Sequence, residues 1–287
     1  MPTVFVNNVN LYYEEAGSGI PILFVHEFAG DWRSWEAQMR FFSSRYRAIT
    51  FSARGYLPSE VPNSPQTYSQ DMQVADVKGL LDILDIDRTH ICGLSMGSYT
   101  TLLFGMKHPD RVRSLTLAGS GHGSGQNRQE FHKRVTEMAG KMMKEGMKGV
   151  SDSYTQGPTR VQLQNKNPRA WEEFRRQFEE HSAMGSAYTL LGVQRQRPSV
   201  TDLGEQLKKM SLPVLIMLGD EDEPGVEGSL FMKRNISRAG LEIYPRSGHP
   251  LNLEEPERFN SSLLNFITAV DAGHWEARDP RSLGGLM

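Results

Sequence analysis

The chain has 287 residues, with 32 lysines and arginines against 34 aspartates and glutamates, and a single cysteine, Cys92. The net charge of −2 gives no electrostatic reason to approach nucleic acid or an anionic membrane, and a lone cysteine excludes an internal disulfide. The length accommodates one large domain or a core with an insertion.

Targeting and membrane signals are absent from the sequence pattern. The opening residues Met-Pro-Thr-Val-Phe-Val-Asn-Asn lack the basic and apolar regions of a secretory signal peptide. No apolar run approaches the length that spans a bilayer. We therefore expect a soluble cytoplasmic protein without nucleic-acid or membrane partners, whose oligomeric state the sequence does not determine.

Strand and helix signals alternate through the first third of the chain. Segments 3–6 and 9–15 predict a hairpin through Asn7-Asn8, a pair that tolerates left-handed backbone angles. Apolar runs at 21–25 and 47–51 predict buried strands, with a helix over 32–42 between them. After a proline-rich stretch, the hydroxyl of Thr67 is predicted to cap a helix with Gln70 three residues later.

A serine lies between a predicted strand over 89–94 and a predicted helix over 98–108. It occurs as Gly93-Leu94-Ser95-Met96-Gly97. A serine that points its hydroxyl out of a sharp strand-to-helix turn requires nearly side-chain-free positions two residues before and two after it. The helix N-terminus that follows supplies backbone N–H groups for a developing oxyanion. The pattern predicts that Ser95 is a nucleophile.

A strand is predicted over 112–118, and the alternation then stops. Between 119 and 210 the sequence predicts helices over 128–148, 168–181 and 188–193, and no strand signal of comparable strength. One helical stripe in this segment consists of Phe131, Val135, Met138 and Met142. Packing on the core is the simpler interpretation of this stripe, and contact with an apolar substrate is the alternative.

Strand signals resume at 213–218 and at 241–244, and each strand is followed by a polar loop. The first loop is Gly219-Asp220-Glu221-Asp222-Glu223-Pro224 and the second is Ser247-Gly248-His249-Pro250. A closing helix is predicted over 256–270. The remaining residues, 271–287, are predicted to be a loosely held tail.

These motifs, in this order, resemble the α/β-hydrolase superfamily from about residue 9 to about residue 266. The resemblance implies an α/β fold with a mainly parallel eight-stranded sheet and helices on both faces. It assigns 1–118 and 211–270 to the hydrolase core and 119–210 to an α-helical cap inserted between two core strands. The loop 52–59 also resembles the family's Asp-x-Arg-Gly-x-Gly-x-Ser loop, with differences at Ser52 and Leu57.

The resemblance also implies roles for site residues. Ser95, Asp222 and His249 follow the family order of nucleophile, acid and base. Asp220, in the same turn as Asp222, matches the position of the family's acid less well. The loop His26-Glu27-Phe28-Ala29-Gly30 resembles the family's oxyanion loop, so the backbone N–H groups of Phe28 and Met96 are the expected oxyanion donors. His122 and His181 are expected to be structural.

Four residues are candidates for the substrate pocket: Glu27, Trp32, Met138 and Met142. Trp32 follows the oxyanion loop, although large aromatics are usually packing elements. Glu27 departs from the family pattern, where a glycine is usual. Because a buried carboxylate must be paired, solvated or protonated, we expect Glu27 to form an ion pair with Arg54.

The expected function is hydrolysis of a small carboxylic ester or lactone through an acyl-enzyme, most similar to enol-lactonase-like and small-ester hydrolases. The serine at the elbow argues against the dehalogenases and epoxide hydrolases of this fold, which resemble each other in using aspartate there. A carbon–carbon bond hydrolase of ring-cleavage diketones, a cofactor-free perhydrolase and a hydrolase-fold ligand receptor are the alternatives. No cofactor or metal is expected, because the histidines are scattered along the chain.

Overall fold

One eight-stranded sheet forms the centre of the protein. The structure is a computed structural model and describes residues 2–124 and 128–283. The strands are β1 (Thr3–Val6), β2 (Val9–Ala16), β3 (Pro21–Val25), β4 (Arg47–Phe51), β5 (Thr89–Leu94), β6 (Val112–Ala118), β7 (Val214–Gly219) and β8 (Ala239–Tyr244). Their spatial order is β1-β2-β4-β3-β5-β6-β7-β8. Only β2 runs antiparallel to its neighbours, so the predicted mainly parallel α/β sheet is confirmed.

Helices cover the sheet and form the segment between β6 and β7. They are α1 (Glu36–Phe42), α2 (Gln70–Ile83), α3 (Met96–Lys107), α4 (Arg128–Thr155), α5 (Val161–Lys166), α6 (Pro168–Glu179), α7 (Ala183–Tyr188), α8 (Gly204–Lys209), α9 (Glu223–Asn235), α10 (Leu251–Glu254) and α11 (Pro256–Asp271). None of the helices in the described residues is both long and apolar enough to cross a membrane.

The core has two halves, one on each face of the sheet. Successive strand residues point to opposite faces, so Leu23 and Val25 pack with one half and Ile22 and Phe24 with the other. Helices α2, α3 and α9 cover the first face, and α1 and α11 cover the second. Side-chain burial on both faces explains why these strands are apolar throughout rather than alternating.

The described part of the segment 119–210 consists of helices joined by turns and short irregular stretches. We call it the helical insertion; it contains α4 to α8, a π-helical turn at Thr189–Gln194 and a 3-10 turn at Val200–Leu203. Helix α4 extends beyond the predicted boundary at 148 and bends at Gly146, whose φ of 72° is not helical. Residues 125–127 of the predicted cap lie outside the described residues.

Two local predictions need correction. Helix α2 is capped by Ser69, whose hydroxyl accepts a hydrogen bond from the Met72 amide at 3.1 Å, whereas Thr67 lies in a preceding 3-10 turn. The segment after α11 is held more firmly than predicted. The Trp275 ring packs 4.6 Å from the Phe266 ring, and its indole N–H donates to the carbonyl of Arg238 at 2.8 Å. Residues 284–287 of the predicted tail lie outside the described residues.

Candidate active site

Ser95 links β5 to α3 in a strained backbone conformation. Its φ is 54° and its ψ is −111°, in a region that residues with a Cβ rarely adopt. A Cβ on Gly93 would lie 2.3 Å from the carbonyl oxygen of Gly97, and a Cβ on Gly97 would lie 2.1 Å from that of Val25. Both glycines are therefore steric requirements of this turn, as the sequence predicted.

The surroundings of Ser95 fix the turn and provide amide donors. The Ser95 amide donates to the carbonyl of Ala118 at the end of β6, at 2.8 Å. Helix α3 begins at Met96, and the first amides of a helix have no acceptor within the helix itself. The Met96 N–H therefore lies at the positive end of the helix dipole, next to the Ser95 side chain.

His249 and Asp222 contact each other directly. Nδ1 of His249 lies 2.8 Å from Oδ2 of Asp222, and both side chains are buried. Because Nδ1 donates to the carboxylate, Nε2 of the neutral ring keeps its lone pair. Asp220 is exposed, and its Oδ1 accepts a hydrogen bond from the Ser247 amide at 3.2 Å. The structure thus places Asp222, rather than Asp220, against the imidazole.

His122 is a second imidazole on the same carboxylate. It follows β6, and its Nε2 lies 2.7 Å from Oδ1 of Asp222. Its ring lies 4.4 Å from the ring of His249. From the sequence, His122 was expected only to be a structural histidine. The sequence signal that would have located it is its position just after a strand whose carboxyl end faces the elbow, within Gly119-Ser120-Gly121-His122.

The electrostatics of this cluster favour the charged form of the Asp222 carboxylate. Burial raises the pKa of Asp222, but the attraction of His249 and the hydrogen bonds from both histidines outweigh burial and hold that pKa well below its usual range. Burial lowers the pKa of His122, and the proximity of His249 lowers it further, although Asp222 acts in the opposite direction. His122 is therefore a neutral hydrogen-bond donor near pH 7.

The cluster also has the composition of a metal site, which the scattered histidines of the sequence had not indicated. One donor atom from each of His122, Asp222 and His249 lies within 4.8 Å of the others. A tetrahedral zinc at about 2.1 Å from its ligands would separate the ligand atoms by about 3.4 Å. The two N···O distances here are 2.7 and 2.8 Å, which is hydrogen-bonding geometry. The expectation that the protein binds no metal therefore stays a prediction.

The loop after β3 is oriented by His26. The Ala53 amide donates to Nε2 of His26 at 2.9 Å, so Nδ1 carries the ring hydrogen and donates to the Glu27 carbonyl at 2.6 Å. Burial lowers the pKa of His26 to about 4, which keeps the ring neutral. In a planar trans peptide the next N–H points away from the carbonyl. Fixing the Glu27 carbonyl therefore fixes the direction of the Phe28 N–H.

Glu27 forms an ion pair with Arg160, a residue of the helical insertion. Nη2 of Arg160 contacts Oε2 of Glu27, and both side chains are 1% exposed. Arg54 instead binds Asp76 of α2 through two hydrogen bonds of 2.5 and 2.6 Å. The predicted Glu27–Arg54 pair is therefore wrong. Strands β3 and β4 are neighbours, but the planar guanidinium of Arg54 matches the Asp76 carboxylate in a bidentate arrangement.

A cavity of about 230 Å³ lies over Ser95 and His249. Its apolar lining comes from Phe28, Phe131, Val135, Met138, Tyr154 and Leu190. Its polar lining comes from Ser95, His122, His249, Arg134, Thr159, Arg160 and Gln194. Most of these residues belong to the helical insertion, so the insertion forms the greater part of the cavity wall.

Only one of the four predicted substrate-pocket residues lines this cavity. Met138 does, whereas Met142 on the same helix is fully buried among core side chains. Trp32 packs 5.3 Å from Tyr12 and lines a separate cavity with Leu57 and His181. Glu27 is buried in its ion pair with Arg160 and is not among the lining residues. Of the four residues of the helical stripe, Phe131, Val135 and Met138 line the cavity, whereas Met142 packs in the core.

Comparison with known proteins identifies the family. The family described as the alpha/beta hydrolase fold matches residues 20–256. The chain belongs to this family. The 3-oxoadipate enol-lactonase 1 of Acinetobacter baylyi is 26% identical over 255 residues, which cover 87% of this chain and 89% of that protein. Epoxide hydrolase 2 of Siraitia grosvenorii is 39% identical over 114 residues, but this match covers only 36% of that protein and 39% of this chain.

Solved structures support the same assignment. An esterase from Thermogutta terrifontis aligns with a TM-score of 0.83 at 26% identity, over 94% of this chain and 98% of that one. An enol-lactonase from Burkholderia xenovorans aligns with a TM-score of 0.82 at 24% identity, over 93% of this chain and all of that one, and shows the fold. The expectation of an α/β-hydrolase enzyme is confirmed.

Proposed function

We propose that this protein is a serine hydrolase that cleaves a small carboxylic ester or lactone through an acyl-enzyme. The observation that carries the proposal is the exposure of Ser95, on its strained turn, to the cavity that His249 also lines, with the His249–Asp222 pair behind it. Ser95 is the nucleophile, His249 the base and Asp222 the acid that orients the base. The Phe28 and Met96 amides are the oxyanion donors.

In the acylation step, Oγ of Ser95 attacks the substrate carbonyl carbon while Nε2 of His249 takes the hydroxyl proton. The electron pair of the carbonyl bond moves to its oxygen, where the two backbone N–H groups stabilise the negative charge. Collapse of this intermediate breaks the bond to the leaving oxygen, which receives the proton from His249. A lactone opens at this step, and its leaving oxygen stays attached to the acyl group.

In the deacylation step, water replaces the alcohol. His249 takes a proton from the water as its oxygen attacks the acyl carbon, and the proton then passes to Oγ as the ester bond to Ser95 breaks. Asp222 stabilises the positive imidazole during both steps without accepting its proton. The products are a carboxylic acid and an alcohol, or a hydroxy acid from a lactone.

The cavity supports a small and partly apolar substrate. Its volume of about 230 Å³ is small for a ligand pocket, and Phe131, Val135 and Met138 form an apolar side. The full-length relatives include an enol-lactonase and an esterase, which act on ester bonds by name. The cavity thus suits a small acyl group, and the names of the relatives favour an ester bond.

Labelling and a substrate series test the proposal. A fluorophosphonate should modify Ser95 and abolish hydrolysis of p-nitrophenyl acetate, and Ser95→Ala should show neither labelling nor turnover. Esters and lactones of graded acyl length should then be compared in the wild type. Modification of another residue, or full activity in Ser95→Ala, would remove the basis of the proposal.

Carbon–carbon cleavage of a ring-cleavage diketone is the second candidate, because a relative of similar identity is named as a hydrolase of 2-hydroxy-6-oxo diacids. The 2-hydroxy-6-oxononadienedioate/2-hydroxy-6-oxononatrienedioate hydrolase 2 of Pseudomonas putida is 25% identical over 91% of this chain and 92% of that protein. A vinylogous diketone in the same substrate series separates the two candidates. Turnover of the diketone at a kcat/KM above that of every ester would favour carbon–carbon cleavage. If no ester, lactone or diketone in the series is turned over, a ligand receptor is favoured.

A further inference from the structure

We propose that Arg160 is a positioning residue that fixes the oxyanion loop through Glu27, so that the helical insertion determines whether the Phe28 amide is in place for catalysis. This inference rests on the proposed serine-hydrolase function. It goes beyond that function because it gives the insertion a part in the chemical step, in addition to its contribution to the cavity wall.

The ion pair joins two segments that are far apart in sequence. Glu27 lies in the loop after β3, and Arg160 lies 133 residues later, between α4 and α5. Both side chains are 1% exposed, so neither charge is compensated by bulk water. Removing one partner of such a pair leaves an uncompensated buried charge, which the protein relieves by moving the loop or admitting water. The position of Glu27 therefore depends on Arg160.

Aromatic rings hold the guanidinium in place. The Arg160 Cζ lies 4.9 Å from the centre of the Phe174 ring and 5.6 Å from that of Tyr154. The Tyr154 ring in turn stacks 4.7 Å from the Phe178 ring and packs 5.9 Å from the Phe28 ring. Except for Phe28, these rings belong to the insertion. The insertion therefore presents a preformed cation to Glu27, and its Tyr154 ring packs against Phe28, the residue that carries the proposed donor.

Displacement of Glu27 is transmitted directly to the Phe28 amide. The Glu27 carbonyl and the Phe28 N–H belong to one planar peptide unit, so they rotate together. His26 holds the carbonyl end of this unit through its 2.6 Å hydrogen bond, and Arg160 holds the side chain of the same residue. Two anchors on Glu27, one from the core and one from the insertion, therefore set the direction of the donor.

The segment around Arg160 also reaches the loop that carries His249. A Cβ built on Gly248 would lie 3.7 Å from the carbonyl oxygen of Thr159. The Gly248 amide donates to the buried carboxylate of Glu254 at 2.8 Å, and the Arg160 charge acts on that carboxylate. Burial raises the pKa of Glu254, and the Gly248 hydrogen bond and the nearby cations oppose this. The same short segment thus borders both the oxyanion loop and the base loop.

The ion pair uses a single donor and a single acceptor, and this allows a sharp test. Within the residues described, Nε and Nη1 of Arg160 and Oε1 of Glu27 form no hydrogen bond. A lysine has one ammonium group and can keep a one-donor contact, whereas methionine retains the bulk of the side chain without the charge. Arg160→Lys should therefore preserve positioning better than Arg160→Met does.

The experiment compares kcat and KM for p-nitrophenyl acetate in Arg160→Met, Arg160→Lys and Glu27→Gln. Removing an oxyanion donor lowers kcat by about 100- to 1000-fold. Because the donor here is displaced and not removed, we expect kcat to fall about 10- to 100-fold in Arg160→Met and Glu27→Gln, with KM within about threefold. Arg160→Lys should recover part of this loss, because it keeps the charge but lacks the planar guanidinium that packs on the Phe174 and Tyr154 rings. The double variant should be no worse than the more affected single variant, since both remove one contact.

Glu180→Gln is the matched control. Glu180 also joins the insertion to the core, through a 2.6 Å contact with Arg33, but its side chain is 61% exposed. Its removal should leave kcat and KM unchanged. A general loosening of the insertion would instead affect both the control and the test variants.

Three outcomes would overturn the inference. One is a folded Arg160→Met with wild-type kcat, another is an equal loss in Arg160→Lys and Arg160→Met, and the third is a loss confined to KM. Thermal melts establish whether each variant folds. If Arg160→Met does not fold, the nearly isosteric Glu27→Gln becomes the deciding variant. A kcat of Glu27→Gln equal to that of the wild type would then refute the proposal. Failure of a fluorophosphonate to label Ser95 in the wild type would instead count against the proposed function.

Discussion

The imidazole ring of His122 lies 4.4 Å from the ring of His249, and each ring contacts a different oxygen of the Asp222 carboxylate. Both oxygens of the Asp222 carboxylate therefore accept a hydrogen bond from a histidine. Its rotation is restricted by His122, while its other oxygen is directed at the proposed base. A carboxylate that accepts two hydrogen bonds is better oriented than one that accepts a single bond.

The first prediction concerns His122. His122→Ala should lower kcat about tenfold, because a hydrogen bond to a charged group contributes about 1.5–3 kcal/mol and its loss frees the carboxylate to rotate. His122→Gln keeps an N–H donor that cannot be protonated, so its kcat at pH 7 should stay close to wild type. The exposed His274→Gln serves as a control in the same assay. Equal losses in the alanine and glutamine variants would show that the imidazole itself is needed.

The second prediction separates the two aspartates of one turn. Asp222→Asn should lower kcat by about a thousandfold or more, because an amide donor facing Nδ1 forces the imidazole into the wrong tautomer. Asp220→Asn should change kcat less than about threefold, since this side chain is exposed and its hydrogen bond is with the Ser247 amide. Steady-state kinetics with p-nitrophenyl acetate measure both effects. The opposite ranking would mean that Asp220 is the acid.

The third prediction separates two methionines of α4. Met142→Ala should lower the free energy of unfolding by about 2–5 kcal/mol, because Met142 is 0% exposed and its removal leaves a cavity. Met138→Ala should cost less stability and instead change the preference among acyl lengths, since Met138 lines the cavity over Ser95. Urea unfolding and a graded ester series measure the two effects. Identical profiles for the two variants would contradict the assignment of the cavity wall.

The fourth prediction is the pH dependence of stability. Burial lowers the pKa of His26 to about 4, below its ordinary value of 6.5, so the unfolded chain binds a proton at this residue before the folded chain does. The stability that His26 contributes is therefore complete above about pH 6.5 and is lost as the pH falls toward 4. Between pH 7 and 5 this amounts to about 2 kcal/mol. His122, with its lowered pKa, acts in the same direction.

Urea unfolding at pH 7, 6 and 5 checks this prediction. His26→Gln keeps one donor and one acceptor without a titrating ring, so its free energy of unfolding should decline less steeply than that of the wild type. The slope is the quantity of interest, because the substitution also changes the stability at every pH. An unchanged slope in His26→Gln would show that His26 is not responsible.

Much of the fold and the central motif could be predicted from the sequence because their causes are local. Apolar runs predict buried parallel strands, and a Cβ on Gly93 or Gly97 would collide with neighbouring backbone, so the turn at Ser95 requires both glycines. The acidic turn and the histidine loop follow their own strands at the same edge of the sheet. In a parallel sheet that edge collects the strand ends, and the resemblance to the α/β-hydrolase superfamily then implied the set of Ser95, Asp222 and His249.

The partners of the buried charges were decided only by the tertiary structure. Glu27 binds Arg160 rather than Arg54 because the helical insertion folds back over the loop after β3, and no local pattern encodes that approach. His122 meets Asp222 across 100 residues of chain because β6 and β7 lie side by side in the sheet. Periodicity placed Met138 and Met142 on one stripe, but the packing of the insertion decided which of them faces the cavity. Sequence patterns report which face of an element is apolar, whereas the partner on that face depends on how distant segments pack together.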